Sequence, residues 1–207
     1  MRQILGPEDL DEGVAYLMAI CPVWARVMPE LLPLPLRRRE DGFAALVDAV
    51  VAQMLSTQSA AAIFGRMSAA GLVSEAAIRA ADDETLRAVG LSRAKIRYLR
   101  ALAEAGIDWP ALRVMPDDAV IARLTALPGI GCWTAEIYLK FALGRADAFA
   151  AGDLALAEAA RLLYDLPQRP GPAALTRLAE PWRPWRSVAA RGLWAYYRLA
   201  KGHEGIR

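Results

Sequence analysis

The spacing of apolar residues constrains this chain more than any other feature. Phe43, Leu46, Val47, Val50, Val51, Met54 and Leu55 fall at i, i+3, i+4, i+7, i+8, i+11 and i+12, the period of a helix that buries one face. No segment alternates apolar and polar residues in the way a half-buried strand does. The chain is therefore expected to be all-α. The Phe43 helix is expected to end at the polar cluster Ser56, Thr57, Gln58 and Ser59. Further helices are predicted over about 74–89, 93–105, 116–126, 132–143, 153–164, 172–179 and 184–199. Between them stand short connections marked by Gly90, Pro110, Pro128, Gly129, Gly131, Gly144, Gly152 and the stretch from Pro167 to Pro172, residues that interrupt regular structure.

A length of 207 residues with 56% hydrophobic composition is enough for one sizeable core or two smaller lobes. The N-terminus reaches Pro7 and the acids Glu8, Asp9, Asp11 and Glu12 before any long apolar run, so no secretory signal is expected. Every apolar stretch is interrupted by charge well short of the roughly 20 residues a membrane span requires. A soluble, cytoplasmic monomer is the expectation. Cys21 and Cys132 lie far apart and have no metal-knuckle spacing, which excludes an iron–sulfur cluster.

With a formal net charge of only +2, binding to nucleic acid would have to come from local basic groups. Arg37, Arg38 and Arg39 form one such group, Arg93, Lys95, Arg97 and Arg100 a second, and Arg183, Arg186 and Arg191 a third. Ordinary solvated helix faces explain them equally well.

Leu127-Pro128-Gly129-Ile130-Gly131 stands between two amphipathic patterns, with Val120, Ile121 and Leu124 before it and Ile137, Tyr138 and Phe141 after it. A tight helix–turn–helix follows from that arrangement. The glycines allow positive φ and close backbone approach, and the start of the second helix offers main-chain N–H groups at the positive end of its dipole. Such a turn can hold a phosphate. It can also be a plain connection between packed helices.

Leu127-Pro128-Gly129-Ile130-Gly131-Cys132-Trp133-Thr134-Ala135, followed by Phe149-Ala150-Ala151-Gly152-Asp153, resembles the signature of the helix-hairpin-helix (HhH-GPD) DNA glycosylases. Within that superfamily the chain is most similar to the bacterial 3-methyladenine DNA glycosylase II group. The likeness runs from about Phe43 to Tyr197 and includes Trp182-Arg183-Pro184-Trp185-Arg186-Ser187 and Trp194. It implies an all-α, two-lobed fold with the active site in the interlobe cleft. Residues 1–42 would pack with the C-terminal lobe, 43–145 would form a central lobe with the hairpin at about 116–143, and 146–207 would carry the catalytic loop. The longest members of the group have an extra N-terminal β domain, for which this chain has no room. Main-chain groups at Leu127, Gly129, Gly131 and Thr134 would grip a phosphate of damaged double-stranded DNA, with a metal ion on the hairpin backbone in many relatives; no other cofactor is implied. A bacterial nucleoid location goes with such a partner.

The resemblance also assigns the chemistry. Asp153 would be the catalytic carboxylate, stabilising the positive charge that develops on the sugar as the glycosidic bond breaks. A helix N-cap is the other role open to it, and one residue can fill both. Members that also cut the backbone place a Schiff-base lysine where this chain has Trp133, so base removal without lyase activity is expected. The sole histidine, His203, lies in the C-terminal tail, and no general acid is available for the leaving base. Alkylated purines such as 3-methyladenine and 7-methylguanine already carry positive charge and need little such help. Trp133 and Trp194 would offer aromatic faces to that cation or else pack in the core. Ile137 replaces a further aromatic and leaves a deaminated or oxidised purine open as substrate; a non-catalytic module that binds damaged DNA is the remaining alternative. Met54 and Gln58 are the candidates to fill the gap left by a flipped base. Met54 also fits the buried stripe, and Gln58 a plain helix end. Arg93 and Lys95 could reach a phosphate or simply face solvent.

Overall fold

The computed structural model describes residues 1–202, and His203 lies outside them. Along the chain run α1 Pro7–Ile20, α2 Pro22–Leu31, α3 Phe43–Ala52, α4 Thr57–Ala69, α5 Glu75–Ala80, α6 Asp83–Ala88 and α7 Arg93–Glu104. Then follow α8 Trp109–Val114, α9 Asp117–Thr125, α10 Cys132–Phe141, α11 Leu154–Leu163, α12 Pro172–Ala179, a 3-10 turn at Glu180–Trp182, and α13 Arg186–Lys201. Among the described residues extended pairing is limited to one isolated bridge between Gln3 and Arg145. The all-α expectation holds. No described helix is long and apolar enough to cross a membrane.

Side-chain caps set six of the described helix starts. Side chains of Ser56, Ser74, Asp82, Ser92, Asp108 and Asp153 each accept a main-chain N–H from the first turn that follows, satisfying donors that a helix start leaves open. Two of these caps, Ser74 and Asp82, divide the stretch expected as one helix over 74–89 into α5 and α6. Helix α8 was not anticipated, because Pro110 reads as a breaker. In the first turn of a helix proline loses no hydrogen bond.

The chain divides into two compact units, Met1–Arg38 with Gly144–Arg207, and Arg39–Leu143. In the first, α13 packs on α11, α1 and α2. Gly13 permits the α1 contact, since a Cβ there would lie 2.6 Å from Val188 Cγ2 and 2.8 Å from Trp185 Cε3. Trp182 gathers Trp24, Phe149 and Tyr164 around it at centroid distances of 5.5, 5.9 and 6.1 Å. Buried Arg191 donates to Ser187 O, Ser187 Oγ and Leu36 O, tying the segment before Arg37 to α13. Its burial, with Arg37 and Arg38 nearby, pushes the guanidinium pKa down to about 9.

In the second unit α3 is buried all round from Ala45 to Val51 and packs on α4, α10 and α7. Each fully buried Val or Leu stabilises by roughly 1.5–3 kcal/mol, so this helix is the unit's main apolar anchor. Asp48 is the polar exception, and Arg39 Nη2 pairs with it at 2.7 Å. The apolar stripe was expected to continue through Met54 and Leu55. It does not, because α3 ends at Ala52 and both residues sit in an exposed turn.

Candidate active site and nucleic-acid interface

The hairpin lies in the second unit, where α9 and α10 pack on each other and Leu127 to Gly131 turn between them. Gly129 has φ +77, and a Cβ there would stand 2.1 Å from Tyr98 Cγ. Only glycine meets both demands. Gly131 differs from the expectation of positive φ: it is extended at φ −92 and a Cβ would meet nothing within 4 Å. Its exposed backbone opens directly onto the start of α10, which has no side-chain cap. Ile130 is buried and its N–H donates to Leu127 O at 3.2 Å. That anchor and the glycine turn leave the N-terminal end of α10 as an electropositive main-chain surface.

Gln53 joins this hairpin to the end of α3. Its Nε2 donates to Gly129 O at 2.9 Å and to Thr134 Oγ1 at 2.8 Å. The Thr134 side chain is thereby buried and turned inward, so a role toward phosphate falls to its main chain. Lys95 also turns inward: its ammonium donates to Val51 O at 2.7 Å and Gln53 O at 3.0 Å, as cations do at helix C-termini. Burial lowers its pKa. Arg93, by contrast, is exposed.

Between these fixed points Met54 projects. It holds φ +58 and is 101% exposed, an uncommon backbone state for a non-glycine residue. Gln58 is exposed too, but in the first turn of α4 and not at the end of α3. Trp133 is half-buried and Ile137 buried on α10.

In the first unit, Asp153 ends the loop that follows Gly144 and caps α11. Its Oδ1 accepts from Ala155 N and Leu156 N, each at 2.9 Å, and from Trp194 Nε1 at 3.3 Å. The residue is 2% exposed, whereas Leu154 beside it is 69% exposed. An acceptor gathering three N–H donors suits a carboxylate. Trp194 is itself buried, so the structure gives it an electrostatic contact with Asp153 as well as a packing role.

Among the described residues no cluster of three or more His, Cys, Asp or Glu side chains can hold a metal. A cation at the hairpin would have only neutral main-chain carbonyls. Those of Leu127 and Gly129 already accept hydrogen bonds from Ile130 N and Gln53 Nε2, leaving one lone pair on each. That donor set fits a weakly held structural ion.

Sequence reasoning missed Gln53, Tyr98 and the inward turn of Lys95. A polar glutamine closing the apolar run of α3 was the available signal for the first. Nothing in the sequence marks Tyr98 as the partner of Gly129.

Residues 47–184 match the family described as HhH-GPD superfamily base excision DNA repair protein. DNA-3-methyladenine glycosylase 1 of Schizosaccharomyces pombe is 33% identical over 178 residues, covering 82% of this chain and 78% of that protein. A probable bifunctional transcriptional activator/DNA repair enzyme AlkA of Mycobacterium tuberculosis is 35% identical over 93% of this chain, which spans 41% of that longer protein. The solved structure of the S. pombe 3-methyladenine DNA glycosylase in complex with abasic DNA superposes with a TM-score of 0.82 at 30% identity. It covers 95% of this chain and 100% of that one.

Proposed function

The chain belongs to the HhH-GPD superfamily of base excision DNA repair proteins, and from that premise we propose that it is a monofunctional DNA glycosylase. Its substrate is an alkylated purine of the 3-methyladenine or 7-methylguanine type in double-stranded DNA, its product is an abasic site, and it works as a monomer on chromosomal DNA. The Asp153 carboxylate, held by three N–H donors at the start of α11, is the observation that carries this reading.

The hairpin main chain at Leu127, Gly129, Gly131 and Thr134 grips a phosphate, and a weakly held structural ion there would add positive charge. Met54 enters the duplex as the damaged nucleotide leaves the stack, with Gln58 at its flank. Trp133, Ile137 and Trp194 are the residues we assign to base recognition, with an indole face suited to a cationic base. When the glycosidic bond breaks, its electron pair passes to the purine and cancels the charge introduced by alkylation. The sugar is left as an oxocarbenium ion, which the Asp153 carboxylate stabilises. Water then adds at C1′ and gives up its proton to that carboxylate. A preorganised group of this kind is worth about 10²–10³ in rate. Trp133 has no amine to condense with the sugar, so no imine forms.

Chromatography of bases released from methylated duplex under single-turnover conditions tests the proposal, comparing wild type with Asp153→Asn. Release of methylated purines by wild type alone, with no borohydride-trapped adduct, supports it. Absence of any methylated base from the wild-type reaction would refute it, and parallel duplexes carrying deaminated or oxidised purines would identify the alternative substrate.

A further inference from the structure

Within the second unit the turn that bears Met54 and the hairpin that bears Gly129 are tied together by side chains that take no part in bond breaking. Gln53 spans the gap. Its amide has two N–H groups, one for Gly129 O at 2.9 Å and one for Thr134 Oγ1 at 2.8 Å, and it immediately precedes Met54. A carboxylate at this position would face the carbonyl with no proton to offer. From α7, Lys95 holds the carbonyls of Val51 and Gln53. One turn further along the same helix, the Tyr98 ring lies directly against Gly129.

Met54 itself needs such support. A non-glycine residue at φ +58 keeps that conformation only where its surroundings fix it, and its own side chain makes no such contact, being fully exposed. The constraint therefore comes from its flanks: Gln53 is held by the hairpin on one side, and Leu55 N donates to Ala52 O on the other.

We propose that Gln53 is a positioning residue that sets Met54 at a fixed distance from the phosphate-gripping hairpin, so that one damaged duplex engages both at once. Lys95 supports the turn from α7 and Tyr98 supports the hairpin. This inference rests on the reading above, in which the hairpin holds phosphate and Met54 enters the duplex. Locking the two elements in advance lowers the ordering cost of binding. The advantage appears only on DNA with a gap for Met54 to occupy. Intact duplex uses the hairpin alone.

The test measures binding by fluorescence anisotropy to two duplexes, one intact and one with a stable abasic-site analogue, for wild type, Gln53→Met, Met54→Ala and the double variant. Gln53→Met is expected to lower the preference for abasic over intact DNA about five- to a hundredfold, the worth of the two hydrogen bonds it removes, while intact-duplex affinity stays unchanged. Met54→Ala should add less in the Gln53→Met background than in wild type, since the two changes act through one arrangement. Equal loss on both duplexes, or full additivity, overturns the proposal. Should Gln53→Met unfold, Thr134→Val and Thr134→Ser decide the matter. Valine must lower the preference and serine, which keeps the hydroxyl, must restore most of it; identical behaviour of the two overturns the proposal. A wild-type protein with no preference for the abasic duplex would overturn this inference alone, whereas failure to release methylated bases would overturn the reading it rests on.

Discussion

Trp194 donates its indole N–H to Asp153 Oδ1 at 3.3 Å, joining residues 41 positions apart in the chain. The same oxygen caps α11 through Ala155 N and Leu156 N, so the helix start and α13 together fix the carboxylate plane. The cap and the indole thus both engage Oδ1, and together they restrain the carboxylate.

Asp153→Asn separates the two roles. Asparagine caps helices about as well as aspartate, so the start of α11 should stay capped and stability should fall less than in Asp153→Ala. Without the negative charge, single-turnover excision should fall about 10²–10³-fold or more, with binding to abasic duplex retained. Asp153→Ala should add about 1 kcal/mol of instability from the lost cap. Excision kinetics with urea denaturation of both variants checks each part, and wild-type turnover by Asp153→Asn would eliminate Asp153 as the catalytic group.

Trp194→Phe removes the N–H and leaves most of the ring. At 3.3 Å the bond is longer than the usual charge-assisted contact, which places its worth at the lower end, about 0.5–1.5 kcal/mol. Excision should therefore slow by about two- to tenfold, far less than in Asp153→Asn, while the melting temperature falls because the smaller ring leaves a void in a buried site. A loss as large as that of Asp153→Asn would show that the indole, and not the carboxylate alone, carries the chemistry.

The all-α class and the hairpin were legible because both depend on local pattern: the 3.6-residue spacing around Phe43, and glycines flanking Ile130. Asp153 stood out as a candidate only through its setting, since an aspartate before a helix is ordinary on its own. What escaped depended on contacts remote in sequence. The run through Leu55 satisfied helical periodicity, yet Lys95 terminates α3 by taking the carbonyls of Val51 and Gln53, and that places Met54 in solvent. Nor does local pattern reveal that Gln53, 81 positions away, claims the hydroxyl of Thr134.

Gly129→Ala should be costly for two separable reasons. The residue holds φ +77, and the new methyl would begin 2.1 Å from Tyr98 Cγ. Together these should cost about 2–4 kcal/mol, combining left-handed strain with overpacking. In a Tyr98→Ala background the steric part disappears and only the backbone part, about 1–2 kcal/mol, should remain. Denaturant midpoints of the four proteins measure the difference; a Gly129→Ala cost unchanged by Tyr98→Ala would show that the ring moves aside freely. Phosphate affinity should fall as well, since the turn must shift to admit the methyl group.

Acid should weaken the first unit through Glu158. Its carboxyl is lowered from 4.5 to about 2, chiefly by the hydrogen bond from Arg161; burial opposes the shift, and Arg169 and Lys201 add to it. The folded protein thus binds fewer protons at this site than the unfolded chain does, so the stability involved is fully present above about pH 4.5 and lost as the pH falls toward 2. Glu158→Gln keeps a neutral acceptor for the three cations but has no proton to gain. Wild type should consequently exceed Glu158→Gln in urea midpoint near neutral pH, and the gap should close between pH 4.5 and 2. Parallel curves across that window would mean that the cluster of Arg161, Arg169 and Lys201 binds Glu158 no more strongly when it is charged than when it is neutral.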